Sequence, residues 1–209
     1  MESNETNEAP ILFGPSTIDV AYDTDDIVTA SFKPMTVLRS KVLVVGDAEC
    51  GKTSLLRHFL SRNYAMAYDM TTDVDLVVGE VPVPKTNVTV DLFLYDMPGA
   101  EAFTEERRFP AEADFVVCCF DVSSRGSFGR CHDWIGAATA SSDAEVLLVA
   151  TKADFREGAA RRAEVAEEEG REFAEARGCR YFECSAAKSM DTRAPFEYIA
   201  KRVWERYTA

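Results

Sequence analysis

The segment KVLVVGDAECGKTSLLRHFL, residues 41–60, contains the sequence patterns that are most informative about the fold. It begins with a valine-rich apolar run that stops at Gly46, as expected of a short strand buried on both faces. Beyond it, Leu55 and Phe59 recur at helical spacing, which predicts an amphipathic helix. Between the two, residues 46–53 match the pattern G-x-x-x-x-G-K-[ST]. The segment therefore predicts a strand, a phosphate-binding loop and a helix.

The predicted loop would bind phosphate mainly through its backbone. Glycines at both ends let the chain curl, so that its N–H groups point at phosphate oxygens near the start of the helix. Lys52 would place a positive charge at the β and γ phosphates, and Thr53 would offer its hydroxyl to Mg²⁺. The residues predicted to line the phosphates are Asp47, Ala48, Glu49, Cys50, Gly51, Lys52, Thr53 and Ser54. The loop alone leaves open a phosphoryl-transfer kinase, an ATPase and a guanine-nucleotide switch.

Length and composition predict one folded domain that follows an acidic tail. The chain has 209 residues, of which 46% are apolar, and this is enough for one sizeable core. Its first 30 residues contain seven Asp or Glu and no Lys or Arg. We therefore expect a disordered tail over residues 1–35, either solvated or binding a partner, and a folded domain over residues 36–209.

Charge and cysteine content exclude several classes of protein. The formal net charge of −13 argues against a nucleic-acid or anionic membrane surface. No apolar run is long enough to span a bilayer, and the amino-terminal MESNETNEAP lacks the features of a signal peptide. The carboxy-terminal WERYTA has no prenylation cysteine, and the six cysteines form no CxxC pair. These features predict an intracellular protein with reduced thiols and neither a membrane span nor a lipid anchor.

Beyond the loop, the sequence predicts an α/β fold. Residues 75–83 and 87–96 read as an antiparallel hairpin, with PVPKTN as the turn. Further strands are expected at residues 114–121, 146–151 and 180–184, and helices at 128–138, at 161–177 and at the end of the chain, where Pro195 suits a first helical turn. Six strands and about five helices in this order predict a mostly parallel sheet with one antiparallel edge, covered on both faces.

Four further motifs resemble those of the Ras-like small GTPases, the P-loop proteins that switch between GTP and GDP. They are YDMTTDVDL (residues 68–76), DMPG (96–99), TKAD (151–154) and CSAAK (184–188), and the likeness extends over residues 39–207. The resemblance implies that Asp96 reaches Mg²⁺ through water, that the Gly99 N–H senses the γ-phosphate, and that Thr71, or alternatively Thr72, binds Mg²⁺. It also implies that the base of GTP or GDP is held by Thr151, Lys152, Asp154, Ser185, Ala186 and Ala187.

Within that family the chain resembles the Rab-like GTPases of intraflagellar transport most closely. The stretches LRSKVLVVGDAECGKTSLL, VDLFLYDMPGAE and RAPFEYIAKRV carry this likeness, and the missing prenylation cysteine fits it. The resemblance implies a subunit of complex B in the cytoplasm and the cilium or flagellum. It also implies a heterodimer with a small β-sandwich subunit, together with contacts to other complex B subunits.

Three positions depart from the family pattern. Ala100 replaces the glutamine that orients the attacking water, so hydrolysis should be slow or absent unless Glu101 substitutes for it. Ala48 occupies a position where glycine often admits an arginine finger. Thr151 replaces asparagine, and its shorter side chain should lower affinity while Asp154 preserves selectivity for guanine. A competent GTPase and a structural subunit with a decayed pocket remain the alternatives.

The two histidines show no metal-ligand spacing. His58 follows the loop on the predicted helix, and His132 lies in the stretch CHDW. Both are expected on the surface or flank of a helix, whereas Trp134 is expected in the core or at an interface.

Overall fold

The computed structural model describes residues 35–61, 73–99, 109, 112–157 and 162–209. The expected acidic tail, apart from residue 35, lies outside these residues. The same is true of Thr71, Thr72, Ala100 and Glu101.

A mixed sheet of six strands forms the centre of the described structure. The strands are β1 (Thr36–Gly46), β2 (Asp75–Pro82), β3 (Val88–Asp96), β4 (Phe115–Asp121), β5 (Glu145–Thr151) and β6 (Arg180–Glu183). Their order across the sheet is β2-β3-β1-β4-β5-β6, and only β2 and β3 pair antiparallel. All seven residues of β4 are buried, as expected of a central parallel strand covered on both faces. The α/β prediction with one antiparallel edge is confirmed.

Five α-helices flank the sheet in the described part of the chain, with a short 3₁₀ helix at Ala153–Arg156. They are α1 (Lys52–Ser61), α2 (Arg125–Gly129), α3 (Cys131–Thr139), α4 (Glu167–Glu175) and α5 (Ala194–Thr208). The helices α1 and α5 pack on one face of the sheet through Phe59, Phe196 and their neighbours. On the other face, α2, α3 and α4 pack around Phe128 and Trp134.

Three elements begin at least three residues away from the positions that the sequence predicts, and the other boundaries differ by no more than two residues. The helix expected at 128–138 is two helices, because Ser124 caps an earlier start by accepting a hydrogen bond from the Ser127 N–H. The helix expected from residue 161 begins at Glu167, where three glutamates in the first turn complement the helix dipole. Strand β1 starts at Thr36, five residues before the predicted run, because Thr36 already pairs with Val88 of β3.

The register of the parallel strands places several loops at one edge of the sheet. Gly46 pairs with Cys119, and Asp121 pairs with Thr151, so β1, β4 and β5 end close together. Loops that follow the carboxyl ends of parallel strands are the usual place for a ligand. In the described residues every helix is too short or too polar to cross a bilayer.

Candidate nucleotide-binding site

The loop between β1 and α1 takes a backbone path that requires both of its glycines. Gly46 has a φ of +139°, and a Cβ there would lie 2.2 Å from the carbonyl oxygen of Cys119. Gly51 has a φ of +97°, and a Cβ there would lie 3.2 Å from Thr151 Oγ1. Glu49 is a third left-handed residue, with a φ of 62°, and no glycine marks this position in the sequence. The loop therefore curls as the pattern predicts, at the cost of one strained non-glycine residue.

Lys52 lies inside the curve of this loop. It begins α1, it is 5% exposed, and its Nζ donates to the carbonyl oxygens of Gly46 (2.9 Å) and Asp47 (2.8 Å). Both acceptors are uncharged, so they orient the ammonium without neutralising it. A buried ammonium is stable only next to an anion or a comparable compensation. The arrangement therefore suits a phosphate group.

The carboxylate of Asp47 is bound by two side chains of the α3 region. It is 3% exposed, and its Oδ1 accepts a hydrogen bond of 2.9 Å from Trp134 Nε1. Its Oδ2 accepts one of 2.6 Å from Arg130 Nε and also forms an ion pair with Arg130 Nη2. Asp47 can therefore contribute only its backbone to a bound phosphate, while its negative charge is compensated from α3.

Thr53 and Asp96 form the part of the site that fits a divalent cation. Thr53 Oγ1 donates to Asp96 Oδ2 at 2.6 Å, and Asp96 is 2% exposed. Among the described residues, no group donates a hydrogen bond to its other oxygen, Oδ1. Burial raises the pKa of Asp96, although the Thr53 hydroxyl and the Lys52 charge oppose this rise. A buried carboxylate with an unsatisfied oxygen beside a hydroxyl suits Mg²⁺, directly or through water.

The described residues offer this cation few protein ligands. They contain no cluster of three or more His, Cys, Asp or Glu side chains that could hold a metal ion. Mg²⁺ usually keeps several waters and binds one or two protein oxygens together with nucleotide phosphates. The donor set therefore fits Mg²⁺ carried with a nucleotide. Thr71, the other predicted magnesium ligand, lies outside the described residues.

Gly99 brings the DMPG motif against the phosphate loop. A Cβ on Gly99 would lie 2.4 Å from the amide nitrogen of Ala48 and 2.4 Å from the carbonyl carbon of Asp47. No other residue could make this approach without displacing one of the two segments. The structure thus brings the predicted γ-phosphate sensor next to the phosphate loop.

Thr151 connects the TKAD segment to the phosphate loop. Its Oγ1 donates to the carbonyl oxygen of Cys50 and lies 3.0 Å from that of Phe120. The expected loss of nucleotide affinity stays a prediction, but the Thr151 hydroxyl does reach the phosphate loop. The reason is the close packing at Gly51, which brings the loop toward the end of β5.

The remaining residues of the TKAD and CSAAK motifs form a small pocket. Lys152 has left-handed backbone angles, and its Nζ lies 2.7 Å from Asp121 Oδ2. Ser185 Oγ donates to Asp154 Oδ1 at 2.6 Å, which orients that carboxylate. The pocket has a volume of about 40 Å³ and is lined by Gly51, Ser54, Leu55, Thr151, Lys152, Asp154, Cys184, Ser185, Ala186 and Ala187. Asp154 and Lys152 both line this pocket, and a carboxylate beside an aliphatic stem can read the N–H edge of a purine.

The structure thus brings the four described motifs together at one edge of the sheet. Two features of the site were not anticipated. The first is the ion pair between Asp121 and Lys152. The sequence does offer a signal for it, because Asp121 is an acidic residue at the end of a buried strand. The second is that Arg130 compensates Asp47, and no local pattern indicates this pairing, because the two residues are 83 positions apart.

The fold and this edge of the sheet define a P-loop nucleotide-binding protein. The model of the Ras family matches residues 41–205, so the chain belongs to the Ras family of small GTPases. It is 36% identical over 179 residues to the human protein "Intraflagellar transport protein 27 homolog", with 83% of this chain and 94% of the human one covered.

Two further relatives extend this comparison. The Chlamydomonas reinhardtii "Intraflagellar transport protein 27" is 33% identical over 193 residues, which cover 87% of this chain and 93% of that protein. "Ras-related protein Rab-1" of Theileria parva is 30% identical over 172 residues, with 80% and 76% covered. The chain is therefore similar both to intraflagellar transport proteins and to a Ras-related Rab protein.

Proposed function

We propose that this protein is a guanine-nucleotide-binding, Rab-like subunit of the intraflagellar transport machinery that hydrolyses GTP slowly or not at all. The observation that carries nucleotide binding is the buried Lys52 ammonium inside the loop, which donates to two carbonyl oxygens and to the Cys50 sulfur, all of them uncharged acceptors. The Ser185–Asp154 pair supports guanine as the base. The similarity to intraflagellar transport proteins of human and Chlamydomonas supports the cellular role.

Each predicted site residue has a role in this proposal. The backbone of residues 47–54 and of Gly99 surrounds the phosphates. Thr53, Asp96 and Thr71 bind Mg²⁺, directly or through water. Thr151, Lys152 and Asp154 hold the base together with residues 185–187. Mg²⁺ would supply positive charge between the phosphate oxygens, and Lys52 supplies a second, fixed positive charge.

Nucleotide binding is tested by calorimetry with the purified protein, Mg²⁺ and GDP, GTP or ATP. We expect GDP and GTP to bind and ATP to be rejected. Lys52→Ala and Asp154→Ala should abolish binding, and Lys41→Ala, whose side chain is exposed on β1, should not. Equal affinity for ATP would contradict the guanine assignment. A folded protein that binds no nucleotide would favour a structural subunit with a decayed pocket.

Slow hydrolysis rests on the sequence, because Ala100 and Glu101 lie outside the described residues. A methyl group cannot orient water, so phosphate release in a single turnover should be slow, and Ala100→Gln should accelerate it. If wild-type protein hydrolyses GTP at the rate of the Ala100→Gln variant and Glu101→Ala loses that rate, the protein is a competent GTPase that uses Glu101.

The transport role implies partners that can be tested directly. We propose that the chain forms a heterodimer with a small β-sandwich subunit, joins other complex B subunits and acts in the cilium or flagellum. Co-expression with that subunit should give one species in size-exclusion chromatography. A tagged chain in ciliated cells should localise to the cilium and co-purify with complex B. Localisation to endomembranes alone would instead favour vesicle trafficking.

A further inference from the structure

His58 is a buried polar residue that the site described above does not use. It lies on α1, it is 5% exposed, and both ring nitrogens have partners. Nδ1 lies 2.8 Å from Thr192 Oγ1, and Nε2 lies 2.9 Å from Ser189 Oγ. The expectation that this histidine occupies a helix surface or flank is wrong. Its ring joins the helix that starts at Lys52 to the segment that follows β6.

That segment is a closed turn with a strained backbone. The Ser185 N–H donates to the Met190 carbonyl oxygen and the Met190 N–H to that of Ser185, each at 2.9 Å. Ser189 and Asp191 have φ values of 54° and 49°, a region that non-glycine residues adopt at a cost. Such a conformation persists only where surrounding contacts fix it. The His58 ring supplies two of these contacts, at Ser189 and at Thr192.

The same turn carries the groups that face the base pocket. The Ser185 hydroxyl donates to Asp154 Oδ1 and accepts a hydrogen bond of 3.1 Å from the Lys188 N–H. Ala186 and Ala187 line the pocket. A hydrogen-bonded path thus runs from His58 through Ser189 and the turn to Ser185 and Asp154. Loss of the His58–Ser189 hydrogen bond should therefore make the Asp154 carboxylate, which is proposed to bind the base, less well positioned.

We propose that His58 is a positioning residue of the base-binding turn, and that its ring slows nucleotide release and sharpens selection of guanine. This inference rests on the proposed guanine-nucleotide binding. A neutral imidazole donates from one nitrogen and accepts at the other, and each hydroxyl can take either role. An apolar side chain would leave both hydroxyls without this partner, and the segment after β6 would lose two of its hydrogen bonds to α1.

The experiment compares His58→Ala with His58→Gln and Ser189→Ala in the full chain. Gln retains one donor and one acceptor, whereas Ser189→Ala removes a single contact at an exposed residue. His132→Ala is the matched control, because His132 is exposed on α3. Three quantities are measured: dissociation of GDP, the affinity ratio of GDP to IDP, and amide hydrogen exchange at Ser185 and Met190 without nucleotide. IDP lacks the exocyclic amine that Asp154 should bind.

We expect His58→Ala to release GDP about tenfold faster, to lower the preference for GDP over IDP, and to accelerate exchange at both amides. His58→Gln should recover part of each effect, Ser189→Ala should give a smaller effect, and His132→Ala should give none. A lower melting temperature with unchanged GDP release, base preference and amide exchange would overturn the inference and leave His58 a structural residue.

The experiment also separates this inference from the proposed function. If the wild-type protein binds no guanine nucleotide, the proposed function fails, and so does the assigned role of His58 in nucleotide release. Exchange at Ser185 and Met190, measured without nucleotide, still decides whether His58 holds the turn. If His58→Ala folds too poorly to measure, the Ser189→Ala variant tests the inference instead. GDP release, base preference and amide exchange equal to those of the wild type in Ser189→Ala would then overturn it.

Discussion

Arg130 and Asp47 join the phosphate loop to the start of α3 through an ion pair in which only the arginine is exposed. The Arg130 side chain is 58% exposed and that of Asp47 is 4% exposed, with Nε donating to Oδ2 at 2.6 Å. Trp134 Nε1 binds the second carboxylate oxygen. The phosphate loop therefore contains a negative charge close to where an anionic ligand should bind, and α3 holds that charge in place.

Removing Arg130 should destabilise both the fold and the nucleotide complex. Arg130→Met leaves a buried carboxylate whose charge is no longer compensated. Because the arginine is largely exposed, we expect a loss of about 1–3 kcal/mol in the free energy of unfolding, below the value for a fully buried pair. Chemical denaturation measures this loss, and nucleotide affinity should fall with it.

A second substitution tests whether charge is the cause. Asp47→Asn removes the buried charge, so the double variant with Arg130→Met should recover most of the stability lost in the single variant. Arg171→Met is the control, since Arg171 is an exposed arginine paired with Glu167 on α4, far along the chain from the loop. If the loss in the free energy of unfolding of the double variant equals the sum of the losses in the two single variants, charge compensation is not the reason.

Thr151→Val should weaken nucleotide binding while it preserves side-chain volume. The substitution removes the hydroxyl that donates to the Cys50 carbonyl oxygen, and one lost buried hydrogen bond corresponds to about 1 kcal/mol, or a factor of about five in affinity. Titration with GDP measures this loss. Thr139→Val on α3, which removes a hydroxyl bonded within its own helix, should leave affinity unchanged. Unchanged GDP affinity in Thr151→Val would mean that the tether does not support the nucleotide.

Asp96→Asn should stabilise the magnesium-free protein and abolish the rise in melting temperature that Mg²⁺ causes when GDP is bound. Because burial raises the pKa of Asp96 in the folded state, the folded protein binds this proton more tightly than the unfolded chain. The contribution of Asp96 to stability therefore falls as the pH rises through the raised pKa. At neutral pH the neutral amide should give a higher melting temperature, and the difference should shrink as the pH falls.

Magnesium provides the reverse test of the same residue. With GDP bound, Mg²⁺ should raise the melting temperature of the wild-type protein and leave that of Asp96→Asn nearly unchanged. Asp133→Asn, at an exposed position of α3, is the control and should respond as wild type does. A full magnesium response in Asp96→Asn would exclude Asp96 from the cation site.

The folded protein should expose a single reactive thiol. All six cysteines are free, and only Cys179 is not fully buried. Burial raises the pKa of Cys50 to about 11 and that of Cys184 to about 12, so these thiols should not form thiolates at neutral pH. Burial raises the pKa of Cys179 as well, but this thiol is partly exposed, so titration with a chromogenic disulfide should give one equivalent ahead of the others and five more after unfolding. An early equivalent that persists in Cys179→Ser would contradict this prediction.

The order of elements and the positions of the binding loops follow from local patterns in the sequence. The run before Gly46, the spacing of Leu55 and Phe59 and the alternation in β3 are properties of neighbouring residues, so the sequence alone reveals them. The same holds for the motifs at the strand ends, because parallel strands place their carboxyl ends at one edge. Helix starts were less predictable, because a cap such as Ser124 lies outside the periodic pattern.

The partners of buried polar side chains were decided only by the tertiary structure. Arg130 reaches Asp47 across 83 positions, Thr151 reaches Cys50 across 101, and His58 reaches Thr192 across 134. In each case a polar group leaves water and must find a complementary group nearby, and packing of distant elements determines which group that is. The sequence thus determined that this chain has a phosphate-binding loop and where it lies, whereas folding determined how its charges and hydroxyls are held.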